Sequence, residues 1–191
     1  LVGLDELISA VLEDLVGASM REEIAETVCE RLGETDIYEF AWFGEREVGG
    51  DGILVRGSAG TTGRTFEHVQ DGLGDLATLP EQRAVETGTP QLSQPIAGDQ
   101  SIPEAVRRAA FSDGIQSLLA IPLTYGSSVY GVVGVYATER NAFSEREKSS
   151  FATVGSIAGL AITATRNRTI PLSDTIGKLT LQLTDAPDPS V

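Results

Sequence analysis

The chain has 191 residues, 41% of them apolar, which suffices for one well-buried domain with appendages and is short for two. Its 28 acidic residues against 14 basic ones give a net charge of −14, and a uniformly acidic surface repels the phosphate backbone of a nucleic acid. No apolar run reaches the roughly 18 residues of a membrane span, and Asp5, Glu6, Glu13 and Asp14 break the N-terminal stretch as a secretory leader.

Cys29 stands alone, so neither a disulfide framework nor a cysteine-built zinc site is available within the chain, and the expected compartment is the cytoplasm. The start on Leu1 rather than Met points to a piece of a longer protein. Leu1, Leu4, Ile8, Val11 and Leu15 form an apolar seam on a predicted helix over 1–17. So short a helix cannot hold a coiled coil by itself. The seam must dock on a second copy, on a continuation of the chain, or on the chain's own helices; a dimer interface is the expectation. A second helix runs from Ser19 to about Leu32, with Glu22 completing a capping box and Gly33 as its stop.

A strand follows over 36–44, with Tyr38, Phe40 and Trp42 predicted on one side and Ile37, Ala41 and Phe43 on the other. A glycine-rich turn at 49–52 leads to a hairpin partner over 53–58. Residues 59–75 show no clear period and read as a loop, with Phe66 its buried member. A short helix over 79–86 ends at Gly88, and a short strand covers 90–96. A helix over 102–112 has Ser101 and Glu104 as its caps and Pro103 in its first turn. Strands over 115–123 and 129–138 flank a turn at 125–128. Ser144 and Glu147 have capping-box spacing at the start of a final helix over 145–168. Hairpins join the first two and the last two strands, so mainly antiparallel pairing in an α+β fold is predicted. Beyond Pro171, residues 176–184 alternate like a strand and read as the start of a next domain.

The succession Pro122-Leu123, Gly126, Gly131-Val132, Gly134-Val135 and Phe143-Ser144-x-x-Glu147 resembles the C-terminal half of a GAF domain, a small-molecule-sensing module of signalling proteins. Together with residues 35–45 and 171–185 it looks like the haloarchaeal bacterio-opsin activator family of transcription regulators. A lysine-poor, threonine-rich acidic composition is similar to that of proteins from salt-filled cytoplasm, where about 1 M salt shortens the Debye length to about 3 Å.

The resemblance implies a central antiparallel sheet, terminal helices packed on one face, and a ligand pocket on the other. It implies a dimerising helix over 1–17, the GAF domain over 18–168, and a linker with the first strand of another domain over 169–191. The helix-turn-helix that would contact DNA lies outside these residues. Segments 59–75, 79–86 and 97–113 would roof the pocket. Phe40, Trp42, Phe66, Arg107, Arg108 and Ser117 are its candidate lining, against the plainer alternatives of core packing for the aromatics and a solvated helix face for the arginines.

Catalytic motifs are absent from the sequence. No phosphate loop, His-Glu-x-x-His or Gly-x-Ser-x-Gly occurs. Cys29 sits on an apolar helix face and reads as a buried inert thiol instead of a bilin attachment point. GAF-type methionine sulfoxide reductases use several cysteines, and one cysteine cannot form their internal disulfide. His68 could serve as a haem ligand only without any supporting motif. Asn141, Phe143 and Glu145 keep part of a cyclic-nucleotide signature without its lysine and aspartate. The expectation is thus a dimeric, non-enzymatic sensor for an unknown small molecule, with no cofactor, metal or membrane contact. The competing readings are a ligand-free dimerisation module and a haem or redox sensor.

Overall fold

The computed structural model describes residues 31, 38–47, 49, 52–73 and 79–166, with side chains up to residue 161. The predicted helices over 1–17 and 19–32, with their dimer seam and Cys29, lie outside the described residues, as does the tail beyond 166. The elements are β1 (Phe40–Arg46), β2 (Ile53–Gly60), α1 (Gly63–Gly72), α2 (Pro80–Thr87), β3 (Gln91–Ser93), a 3-10 turn (Ile96–Gly98), α3 (Glu104–Asp113), β4 (Ser117–Tyr125), β5 (Ser128–Ala137) and α4 (Glu145–Arg166). The five strands form one sheet in the order β2-β1-β5-β4-β3, antiparallel throughout.

Alternation along the strands sorts the core into two layers. Ala41, Phe43, Leu119, Ile121, Leu123, Val133 and Val135 face α4 and meet Phe151, Val154 and Ala158. Phe40, Trp42, Leu118, Ala120, Val132 and Tyr136 face the other way, under α1, α2 and α3. The central strands are buried on both faces, as the aromatic residues on either side of the first strand require. Tyr38 is the exception to the predicted alternation. It precedes β1, and the bend at Glu39 turns it to the α4 side, where its ring stacks on Phe143 at 5.6 Å.

The start of α4 is held as its spacing predicts. The Glu147 amide donates to Ser144 Oγ (3.2 Å) and the Ser144 amide to Glu147 Oε2 (2.7 Å). Further along, α4 lies directly on the sheet edge. A Cβ on Gly155 would stand 2.5 Å from the Pro122 carbonyl oxygen, and one on Gly159 would overlap that of Thr124. Gly88 ends α2 in the left-handed conformation (φ 69°), as its position suggests.

Two local expectations are corrected. The segment 59–75 is not a loop, because α1 occupies 63–72. Its N-terminus takes its cap from a distant residue: Asp113 Oδ2, at the end of α3, accepts from the Thr65 amide (2.8 Å) and hydroxyl (2.7 Å). Ser101 does not cap α3. Pro103 holds the N-cap position, and the Ser101 hydroxyl bonds Asp99 and accepts from Arg83 Nη1 (3.0 Å).

Candidate functional site

The face of the sheet under α1, α2 and α3 carries a row of aromatics set by strand register. Phe40 on β1 lies directly opposite Tyr136 on β5, and Trp42 lies opposite Gly134. The Phe40 and Tyr136 rings stack at 4.2 Å, and Phe66 of α1 meets Phe40 edge-on and Trp42 at a tilt, each at 5.9 Å. Trp42, Phe40 and Tyr136 are wholly buried.

Into this apolar layer α2 drops a carboxylate. Glu81, in the first turn of α2, is 0% exposed, and its Oε1 accepts hydrogen bonds from Trp42 Nε1 (3.1 Å) and from the Tyr136 hydroxyl. Gly134 makes this arrangement possible. A Cβ there would lie 2.6 Å from Trp42 Nε1 and 2.8 Å from Glu81 Oε1. The missing side chain on β5 is therefore the space that the indole and carboxylate share.

The second oxygen, Glu81 Oε2, is buried without a hydrogen-bond partner, and so is Oε1 of the neighbouring Gln82. Burial is the largest influence on Glu81 and raises its pKa above the ordinary carboxylate range. Tyr136, its own backbone amide, Trp42 and the Arg83 charge pull it down, but less strongly. Burial, and then the charge and hydrogen bond of Glu81, push Tyr136 well above the usual phenol range. Tyr136 is therefore the donor in that pair. With two donors on Oε1, any proton Glu81 keeps sits on Oε2, the oxygen with no partner.

The residues named from the sequence divide. Phe40, Trp42 and Phe66 come together on this face. Arg107 lies at its margin, where its Nε donates to the Ile102 carbonyl (3.0 Å) and so ties down the start of α3. Arg108 points to solvent and pairs with Glu104 across one turn, with both side chains exposed. Ser117 stands on the opposite face: it shares the parity of Leu119 and pairs with Ala137, on the α4 side. Its hydroxyl lies 2.5 Å from the Glu139 carbonyl and 2.8 Å from that of Arg140, so it pins the loop that leads to Phe143. Ser117 is not part of the aromatic site.

Sequence reasoning missed Glu81 and Tyr136. Glu81 follows Pro80 in a first helical turn, where an acid is ordinary and normally solvated. Tyr136 was within reach, since it shares a face of β5 with Val132 and Gly134, opposite Phe40 and Trp42. Among the described residues no group of histidine, cysteine and carboxylate side chains could hold a metal ion.

A five-stranded antiparallel sheet with one long helix on one face and three short helices on the other defines a small α+β domain with its sheet between two helical layers. The chain belongs to the GAF domain family, whose model matches residues 18–163. It is similar to the bacterioopsin transcriptional activator of Halobacterium salinarum, with 27% identity over 94% of this chain. The chain spans a quarter of that activator's length. The fold is also that of the GAF domain of a phosphoenolpyruvate-protein phosphotransferase from Coxiella burnetii (TM-score 0.71, 13% identity, 87% of this chain and 96% of that one). A free methionine-R-sulfoxide reductase from Neisseria meningitidis, solved with its substrate, is nearly as close (TM-score 0.70, 13% identity, 85% and 90% covered). No helix among the described residues is long and apolar enough to cross a membrane.

Proposed function

We propose that this chain is the ligand-responsive regulatory domain of a transcription regulator, acts as a homodimer in the cytoplasm, and is not an enzyme. The observation that carries the reading is Glu81. A wholly buried carboxylate with one oxygen unpartnered, bonded to Trp42 and Tyr136 of the aromatic row, is an expensive arrangement for a domain that only needs a core. A small molecule that completes its hydrogen bonding would recover that cost. The similarity to an activator supports a regulatory role, and the single cysteine speaks against the sulfoxide reductase chemistry of one structural neighbour. In this reading residues 1–17 pair two copies through Leu1, Leu4, Ile8, Val11 and Leu15. Residues 18–168 sense, residues 169–191 lead into a further domain, and DNA is contacted elsewhere in the regulator. A ligand acts by favouring one arrangement of the paired helices, which requires different affinities for the two arrangements.

The test is to purify the chain in about 1 M KCl, denature it, and identify released compounds by mass spectrometry. A stoichiometric compound is expected. A second reading, a dimerisation module without a ligand, draws on the contact of Phe40 with Tyr136 and of Phe66 with both Phe40 and Trp42, since rings that fill one another's space leave less for a guest. An empty chain that is dimeric by sedimentation would favour this second reading.

A further inference from the structure

We infer that the molecule sensed here carries a protonated nitrogen, an ammonium or amidinium group, that seats against Glu81 Oε2 beside the Trp42 indole. The inference rests on the sensory reading above and names the chemistry of its ligand. Glu81 Oε2, in the first turn of α2, is buried without a partner. Once Glu81 is ionised that oxygen can only accept, so a ligand that completes it must bring N–H groups. Glu81 Oε1 is already saturated by Trp42 Nε1 and the Tyr136 hydroxyl, which leaves Oε2 as the open position. The Arg83 charge acts on Glu81 less strongly than burial does, and a cationic guest at Oε2 would offset more of that cost.

The groups that face Glu81 are Trp42 from β1, Tyr136 from β5 and Arg83 from its own helix. None of the first two is charged at neutral pH, and Arg83 also reaches across to Ser101. Pairing with a cation requires Glu81 to give up its proton. The affinity for a cationic guest therefore rises with pH until Glu81 is ionised in the free protein, then levels off, whereas a guest that accepts a hydrogen bond from protonated Glu81 would show the reverse trend.

Trp42 is the chain's single tryptophan, so its emission reports on this site alone. The experiment titrates the chain with benzylamine, with benzamidine, and with the neutral isostere benzyl alcohol across a series of pH values, following Trp42 emission. The expected result is a saturable change with the two cations, at least about tenfold weaker with benzyl alcohol and in Glu81→Gln, and tighter as pH rises. Circular dichroism verifies that the variant is folded, and the comparison of cation with alcohol needs no variant. Equal binding of amine and alcohol, or cation binding that weakens as pH rises, overturns the inference. So does a neutral or anionic compound released from the purified chain and retained by Glu81→Gln, although the sensory reading then stands. An empty chain that responds to none of the three probes overturns both.

Discussion

Replacing Glu81 by glutamine separates the charge of the buried carboxylate from its shape. Burial raises the Glu81 pKa in the folded chain above its ordinary value of 4.5, so between 4.5 and the folded-state value the native protein holds a proton that the unfolded chain has released. The stabilisation from that proton is complete below the unfolded pKa and is lost as pH rises through the folded one. Relative to Glu81→Gln, wild-type stability therefore falls by about 1.4 kcal/mol per pH unit within the window and is level outside it. Glutamine also puts an amide where Oε2 stood, with two donors and no acceptor, at a cost of about 1–3 kcal/mol that does not vary with pH. The slope, not the offset, is thus diagnostic. Urea denaturation of both proteins from about pH 5 to about pH 8 at fixed KCl, followed by circular dichroism, measures it, and the other carboxylates cancel in the difference. A difference that stays flat over this range would refute the assignment of Glu81 as the proton-linked buried group.

Gly159→Ala should destabilise the domain by about 1–3 kcal/mol in thermal denaturation. The new Cβ overlaps the Thr124 backbone, and overpacking against backbone outweighs the roughly 1 kcal/mol that alanine gains in helix propensity. An increase in Tm would show that α4 is free to lift off the sheet. Asp113→Ala should cost about 0.5–2 kcal/mol by removing the shared cap at Thr65, with amide exchange rising first over residues 63–72. Uniform exchange across the domain would contradict that local role. Tyr38→Phe should stabilise the fold by about 1 kcal/mol or more, because the Tyr38 hydroxyl is buried without a partner while its ring stacks on Phe143. A loss of stability would mean that the hydroxyl has a partner in solution.

The strands and the capped helix were legible because their signals are local. The Val129–Thr138 run, the Ser144–Glu147 box and the Gly88 stop each work within a few residues of themselves. What failed was what depends on distant partners. The α1 segment reads as loop because its cap is supplied by Asp113, some fifty positions away, and its own flanks are glycine and threonine. Tyr38 was placed on the wrong face because a bend before β1 shifts the parity by one. At the site, the aromatic half was readable from strand alternation. The polar half was not, since an acid at the start of a helix looks the same whether it meets water or a tryptophan.

The strand order β2-β1-β5-β4-β3 also has a consequence for time. The two hairpins, β1 with β2 and β4 with β5, close over short loops, while the central ladder joins Phe40 to Tyr136, 96 positions further along the chain. Loop-closure entropy makes that ladder the slow event of folding. Trp42, Gly134 and Tyr136 all lie on it, so the pocket for Glu81 is assembled at the last step, when the two halves of the chain zip together. Pulse-labelled amide exchange during refolding would register this as late protection of the ladder between β1 and β5, after both hairpins, and simultaneous protection of all three ladders would rule it out. A cell that makes this domain thus obtains the buried Glu81–Trp42–Tyr136 arrangement only from chains that have finished folding.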